Sequence, residues 1–169
     1  VTGTTTTSAE NTVNGTLVAS VTGTDVDQGD TLSYSITAGN ISGAFAINGS
    51  GQLTVANSAA LDYEARTSFT LTVRVQDAAG AFGTSTVIVN LTNVNESPQL
   101  ADQTLSTAEN RGFGAVIGTV AALDPDAGSL LTYTLIGGNP GGAVALNSSN
   151  GVVTIANPAQ FDYEANPTL

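Results

Sequence analysis

The segment "SAEN" at residues 8–11 returns as "TAEN" at 107–110, and "TDVDQGDTLSY" at 24–34 returns as "LDPDAGSLLTY" at 123–133, both with an offset of 99. "GQLTVANSAALDYEA" at 51–65 returns as "GVVTIANPAQFDYEA" at 151–165 with an offset of 100, so one residue is inserted near 138–142. Self-similarity at a fixed period marks repeats of one folding unit. A length of 169 residues suits two small units of this kind. The spacing places a first domain at 1–93, a linker at 94–98 and a second domain at 99–169. Leu169 corresponds to Phe69, so the second copy is expected to lack its last strands. A fragment of a longer array accounts for that. So does a unit completed by a neighbouring chain, because an unfinished sheet exposes an edge that invites pairing.

Within each copy the hydrophobic period is two. Phe69, Leu71, Val73 and Val75 alternate with Thr70, Thr72, Arg74 and Gln76, as a half-buried strand requires. Leu32, Tyr34 and Ile36 alternate in the same way, as do Val87, Val89 and Leu91. Gly, Asn, Ser and Asp gather between these runs in "AGN", "NGSG" and "DAAG", which is turn chemistry. No window carries a helical stripe. About seven short strands per 100 residues point to an all-β fold of tandem Greek-key β-sandwiches, immunoglobulin-like in architecture, the second incomplete. Tyr34 and its counterpart Tyr133 are expected in the sandwich cores.

Composition removes whole classes of function. The formal charge is −11, yet 41% of residues are hydrophobic, so the acidity does not belong to a disordered tail. Three basic residues, Arg66, Arg74 and Arg111, leave no electrostatic footprint for nucleic acid. The absence of Cys and His removes thiolate chemistry, disulfides, Cys/His zinc sites and histidine acid–base catalysis. No apolar run approaches the roughly 20 residues of a membrane helix, so no membrane insertion is expected in this segment.

The acidic residues are not scattered. Of fourteen, twelve fall on repeated or motif positions: Glu10, Asp25, Asp27, Asp62, Glu64, Asp77, Glu96, Glu109, Asp124, Asp126, Asp162 and Glu164. In a sandwich, strand ends and loops gather at the two poles, so Glu10, Asp62, Glu64 and Glu96 are expected near one pole, with Asp124 and Asp126 facing them from the second copy. Like charges about 4 Å apart cost on the order of 1 kcal/mol per pair even at the dielectric of water. A bound cation removes that cost. An all-oxygen donor set selects a hard ion, and flexible loops rich in carboxylates suit the ligand number of calcium better than the tight octahedron of magnesium. An EF-hand does not fit, because Gly29 holds the fifth position of that loop and Ile36 the twelfth. A glycosidase pair at Asp62 and Glu64 is disfavoured because the same pair recurs as Asp162 and Glu164.

"AEN", "DVDQGD", "LDYE", "VRVQDAAG" and "NVNESP" together resemble the successive calcium motifs of cadherin repeats, especially those of large bacterial surface proteins. The resemblance covers both copies. It implies an interdomain calcium site built from Glu10, Asp62 and Glu64, the side chains of Asn95 and Glu96, the carbonyls of Val94 and Ser97, and Asp124 and Asp126. It implies two ions there. It also implies one half site from Asp25, Asp27 and Asp77, and another from Glu109, Asp162 and Glu164, each needing a neighbouring domain. Three positions depart from the family pattern. Tyr63 replaces an Arg that is not a ligand, Asn93 stands where Asp is usual in a linker one residue short before Pro98, and Glu96 replaces Asp.

The resulting expectation is an extracellular or cell-surface structural and adhesive module, not an enzyme, in which Ca2+ stiffens the junction between domains. Expected partners are neighbouring repeats of the same protein, and homophilic or cell-surface glycan or protein contacts. Two rivals stand beside it. One is a carbohydrate-binding module, which an aromatic content of 5% and the lack of Trp disfavour. The other is a filament subunit, a homo-oligomer completed by a neighbour's strand.

Overall fold

A computed structural model describes residues 3–26 and 31–164, and these divide into two compact units between Asn95 and Glu96. The first contains seven strands: β1 (Thr4–Ala9), β2 (Leu17–Ser20), β3 (Ser33–Ala38), β4 (Phe45–Ile47), β5 (Gln52–Val55), β6 (Ser68–Gln76) and β7 (Phe82–Thr92). They make two sheets, one ordered β1-β7-β6-β3 and the other β2-β5-β4. The long hairpin β6–β7 is antiparallel, with Phe69 opposite Val89 and Leu71 opposite Val87. β1 runs parallel to β7, with Thr6 opposite Val89.

The alternating runs face inward, as their period requires. Phe69, Leu71, Val73, Val87 and Val89 from one sheet and Phe45, Leu53 and Val55 from the other are buried in a single cluster with Leu61. Phe45 meets Phe69 edge to face, with centroids 5.1 Å apart, a geometry that the ring quadrupoles favour. Tyr34 packs against the same cluster, and its hydroxyl accepts the Gly23 N–H at 3.1 Å.

The second unit has β8 (Val116–Thr119), β9 (Val144–Leu146) and β10 (Val152–Ile155) in the order β8-β10-β9. This matches β2-β5-β4 of the first unit. The residues that form β6 and β7 in the first unit have no counterpart among the described residues of the second. The segments that match β1 and β3 therefore form no ladder here, and an open groove of about 490 Å³ lies beside Leu105, Ile117, Val144, Val153 and Phe161.

Local devices recur at matched positions. Asn40 donates to the Phe45 carbonyl at 2.8 Å and accepts its N–H at 2.9 Å. Asn139 does the same with Val144, at 2.9 and 3.0 Å. Gly51 has φ +77°, and a Cβ there would run into the Val21 carbonyl oxygen and the Tyr34 ring. Gly151 has φ +70°, and a Cβ there would meet the Val120 carbonyl and Tyr133 in the same way. Replacing Gly51 with Ala is expected to cost about 2–3 kcal/mol through combined strain and overlap, measured as a lowered urea midpoint. A midpoint unchanged from the unsubstituted chain would show that the turn relaxes.

Candidate metal centre

The first unit gathers three carboxylates at one end of its sandwich. β1 ends at Ala9, and the next residue, Glu10, is tied to the end of β7 by its N–H on the Thr92 carbonyl at 3.1 Å. Asn11, with φ 54°, turns the chain and donates its N–H to the Leu61 carbonyl at 2.9 Å. Leu61 is fully buried and anchors the start of a single turn, closed by the Arg66 N–H on the Asp62 carbonyl at 2.9 Å. The motif "LDYE" thus places its leucine in the core and turns Asp62 and Glu64 outward.

Glu10 is the one buried charged side chain among the described residues, at 2% exposure. Its Oε2 accepts the Tyr63 N–H at 2.7 Å, and its Oε1 accepts the Val94 N–H at 2.7 Å. These are short, well-formed bonds to an acceptor that cannot be left unsatisfied inside a protein. Asp62 Oδ1 accepts the Ala65 N–H at 2.8 Å, and Glu64 Oε1 accepts an Asn93 amide hydrogen at 3.3 Å. One ligand oxygen from each of Glu10, Asp62 and Glu64 lies within 4.8 Å of the others. At that spacing each like-charge pair costs about 1 kcal/mol at the dielectric of water. Oxygen is the only donor type, which fits a hard divalent cation and excludes a thiolate or imidazole site.

The second unit repeats the grouping. Glu109, Asp162 and Glu164 also bring one oxygen each within 4.8 Å of one another, but all three are exposed. Glu109 Oε2 accepts the Tyr163 N–H at 3.2 Å, the counterpart of the Tyr63 bond to Glu10. The same unit ties the Glu96 N–H to Asp126 Oδ2 at 2.6 Å and the Asp126 N–H to Asp124 Oδ1 at 3.0 Å.

Asp77 closes the β6–β7 loop, its Oδ1 accepting the Ala81 N–H at 2.9 Å. Asp25 is exposed, and Asp27 lies outside the described residues. Asn95 and Ser97 are exposed. Val94 was expected to offer a carbonyl, and its visible contribution is an N–H that holds Glu10. Sequence reasoning missed the Tyr63 and Val94 amides, because main-chain donors carry no residue signature. It also passed over Asn93, treating it only as a departure from a pattern.

The family model for the cadherin domain matches residues 4–92. The chain is 40% identical over 129 residues to the Drosophila melanogaster "Protocadherin-like wing polarity protein stan", covering 72% of this chain and 4% of that protein. It is 36% identical over 168 residues to human Protocadherin-16, covering 92% of this chain and 5% of that protein. It thus spans about one twentieth of the length of these relatives. Among solved structures, mouse Cadherin-23 EC22-24 aligns with TM-score 0.62 and 31% identity, over 93% of this chain and 51% of that one. Drosophila N-cadherin EC1-4 aligns with TM-score 0.70 over 93% of this chain and 40% of that one, and at 17% identity it speaks to the fold alone. These relatives are animal proteins, so the bacterial setting suggested by the motifs finds no support in them. The chain belongs to the cadherin domain family.

Proposed function

We propose that this chain is a calcium-dependent adhesive module whose end sites hold Ca2+ and whose rigidity depends on it. The observation that supports this most directly is the triad of Glu10, Asp62 and Glu64, with Glu10 buried and oriented by two main-chain N–H groups. Burying a carboxylate beside two others is costly unless positive charge is near. Calcium supplies that charge and accepts six to eight oxygen ligands. In this reading Glu10, Asp62 and Glu64 are joined by Val94, Asn95, Glu96, Ser97, Asp124 and Asp126. Asp25, Asp27 and Asp77, and separately Glu109, Asp162 and Glu164, serve neighbouring repeats.

The domain division of the proposal is 1–93 and 99–169, with 94–98 as the calcium-binding linker. The chain's own residues orient the carboxylates and keep Glu10 out of water. The bound ion cancels their repulsion and stiffens the chain through residues 94–98. Partners in adhesion are neighbouring repeats and other surface proteins of the same family.

Titration calorimetry tests the assignment. The unsubstituted chain should bind calcium saturably and more tightly than magnesium, and Asp62→Asn with Glu64→Gln should weaken binding by at least about tenfold, the effect of removing roughly 1.4 kcal/mol of attraction. Binding that is absent, or indifferent to the double substitution, sinks the proposal.

A further inference from the structure

Asparagine followed by glycine occurs three times, at 14–15, 48–49 and 150–151. All three asparagines are exposed, so water reaches each of them. In such a pair the glycine nitrogen is placed to attack the asparagine Cγ, and no Cβ shields it. The fold treats the three pairs differently. The Gly15 N–H is held by the Val55 carbonyl at 2.8 Å, and the Gly151 N–H by the Asn147 carbonyl at 3.0 Å. The Gly49 N–H makes no hydrogen bond among the described residues, and a Cβ there would meet nothing within 4 Å. Of the three attacking nitrogens, only that of Gly49 needs no hydrogen bond broken first.

The carbon under attack is also best prepared at residue 48. Asn48 Oδ1 accepts the Ser50 and Gln52 N–H groups at 3.0 Å each. Asn14 Oδ1 accepts one, from Ser58 at 2.7 Å, and Asn150 Oδ1 accepts one, from Val152 at 3.1 Å. Two main-chain donors aimed at one amide oxygen stabilise the negative charge it gains when Cγ is attacked.

We infer that Asn48–Gly49 is a self-modification site, at which the folded chain converts Asn48 to aspartate and isoaspartate ahead of its other Asn–Gly pairs. The Gly49 nitrogen forms a bond to Cγ and gives its proton to solvent. The Cγ–Nδ2 bond breaks, and Nδ2 takes up a proton from water and leaves as ammonia. One water then opens the succinimide. Addition at Cγ gives aspartate, and addition at the main-chain carbonyl gives isoaspartate. Both products add a negative charge to the turn between β4 and β5, and they differ in what they do to the hairpin. Aspartate keeps an acceptor for the Ser50 and Gln52 amides. Isoaspartate lengthens the main chain by a methylene at a residue whose N–H donates to the Gln52 carbonyl at 3.1 Å and whose carbonyl accepts the Gly51 N–H at 3.0 Å. The next pair along the ladder joins Ile47 to the fully buried Leu53.

Ageing the full chain in mildly alkaline buffer tests this, with tandem mass spectrometry following the gain of about 1 Da at each asparagine. Asn48 should convert at least about fivefold faster than Asn14 or Asn150, the weight of one net hydrogen bond at the attacking nitrogen. In denaturant the three rates should converge, since only the fold separates them. Gly49→Ala, which the open space at that residue accommodates, should slow conversion at Asn48 and leave Asn14 and Asn150 as they were. The aged chain should melt below both the fresh chain and Asn48→Asp, which keeps the acceptor. Conversion of Asn14 or Asn150 as fast as Asn48 in the folded chain overturns the inference. So does a lead for Asn48 that persists undiminished in denaturant, because its cause would then be local sequence and not the fold.

Discussion

Replacing Glu10 with Ala lowers the stability of the first unit by about 2–4 kcal/mol, and does so in EDTA as well as in calcium. The reason is local. Glu10 accepts the N–H groups of Tyr63 and Val94 at 2.7 Å each, across 53 and 84 residues of chain. Alanine removes both acceptors and leaves a void where a side chain exposed by only 2% had been. Each buried donor left unpaired costs roughly 1–3 kcal/mol, and water reaching the more exposed Val94 recovers part of the second loss. For a unit of this size the melting temperature should fall on the order of 10 °C. The repeat supplies an internal control. Glu109 occupies the same motif position, but it is exposed and makes one visible bond of 3.2 Å, to Tyr163. Glu109→Ala should therefore change stability by no more than about 0.5 kcal/mol. Differential scanning calorimetry of both variants in EDTA decides the matter, and equal losses would show that burial and amide capture of Glu10 are not the cause.

The strands and the site were legible in the sequence to different depths. Phe69 to Val75 and Val87 to Leu91 announce themselves by a period of two, and both face the core as that period demands. The two triads were legible because two of their members sit two residues apart in "LDYE" or "FDYE" and the third recurs in "AEN". What a sequence cannot display is the ladder that joins distant segments. Nothing in "TTTTSA" at 4–9 says that it runs parallel to β7 and brings Glu10 to the end of that strand. The burial of Glu10 and the exposure of Glu109 are equally illegible, since the motifs around them match. Their difference lies in context: the Val94 N–H that captures Glu10 follows β7, and β7 has no counterpart among the described residues of the second unit. The same cause explains why 103–108, which matches β1, forms no strand although β1 does. An alternating pattern specifies a face, and a strand forms only where a partner completes its hydrogen bonds.

Chelation should then lower the melting temperature of the whole chain by on the order of 10 °C relative to saturating calcium. A ligand that binds only the folded state stabilises it by RT ln(1 + [L]/Kd), about 2.7 kcal/mol per site at a hundredfold excess. The physical source is the same crowding that makes the triad: three oxygens within 4.8 Å of one another, two of them on exposed side chains. This origin predicts a second signature. In EDTA, added monovalent salt should raise the melting temperature of the unsubstituted chain by screening repulsion among Glu10, Asp62 and Glu64, most strongly on the exposed pair. With Asp62→Ala and Glu64→Ala together, the ion-free chain should gain less from salt, and calcium should no longer shift its melting. Parallel melts in calcium, in EDTA and in EDTA with salt distinguish the cases. A chain whose melting ignores calcium has no functional site at these residues. One that responds to calcium equally well without Asp62 and Glu64 holds its ion elsewhere. Only loss of the calcium shift together with a smaller salt effect assigns both the repulsion and its relief to the triad.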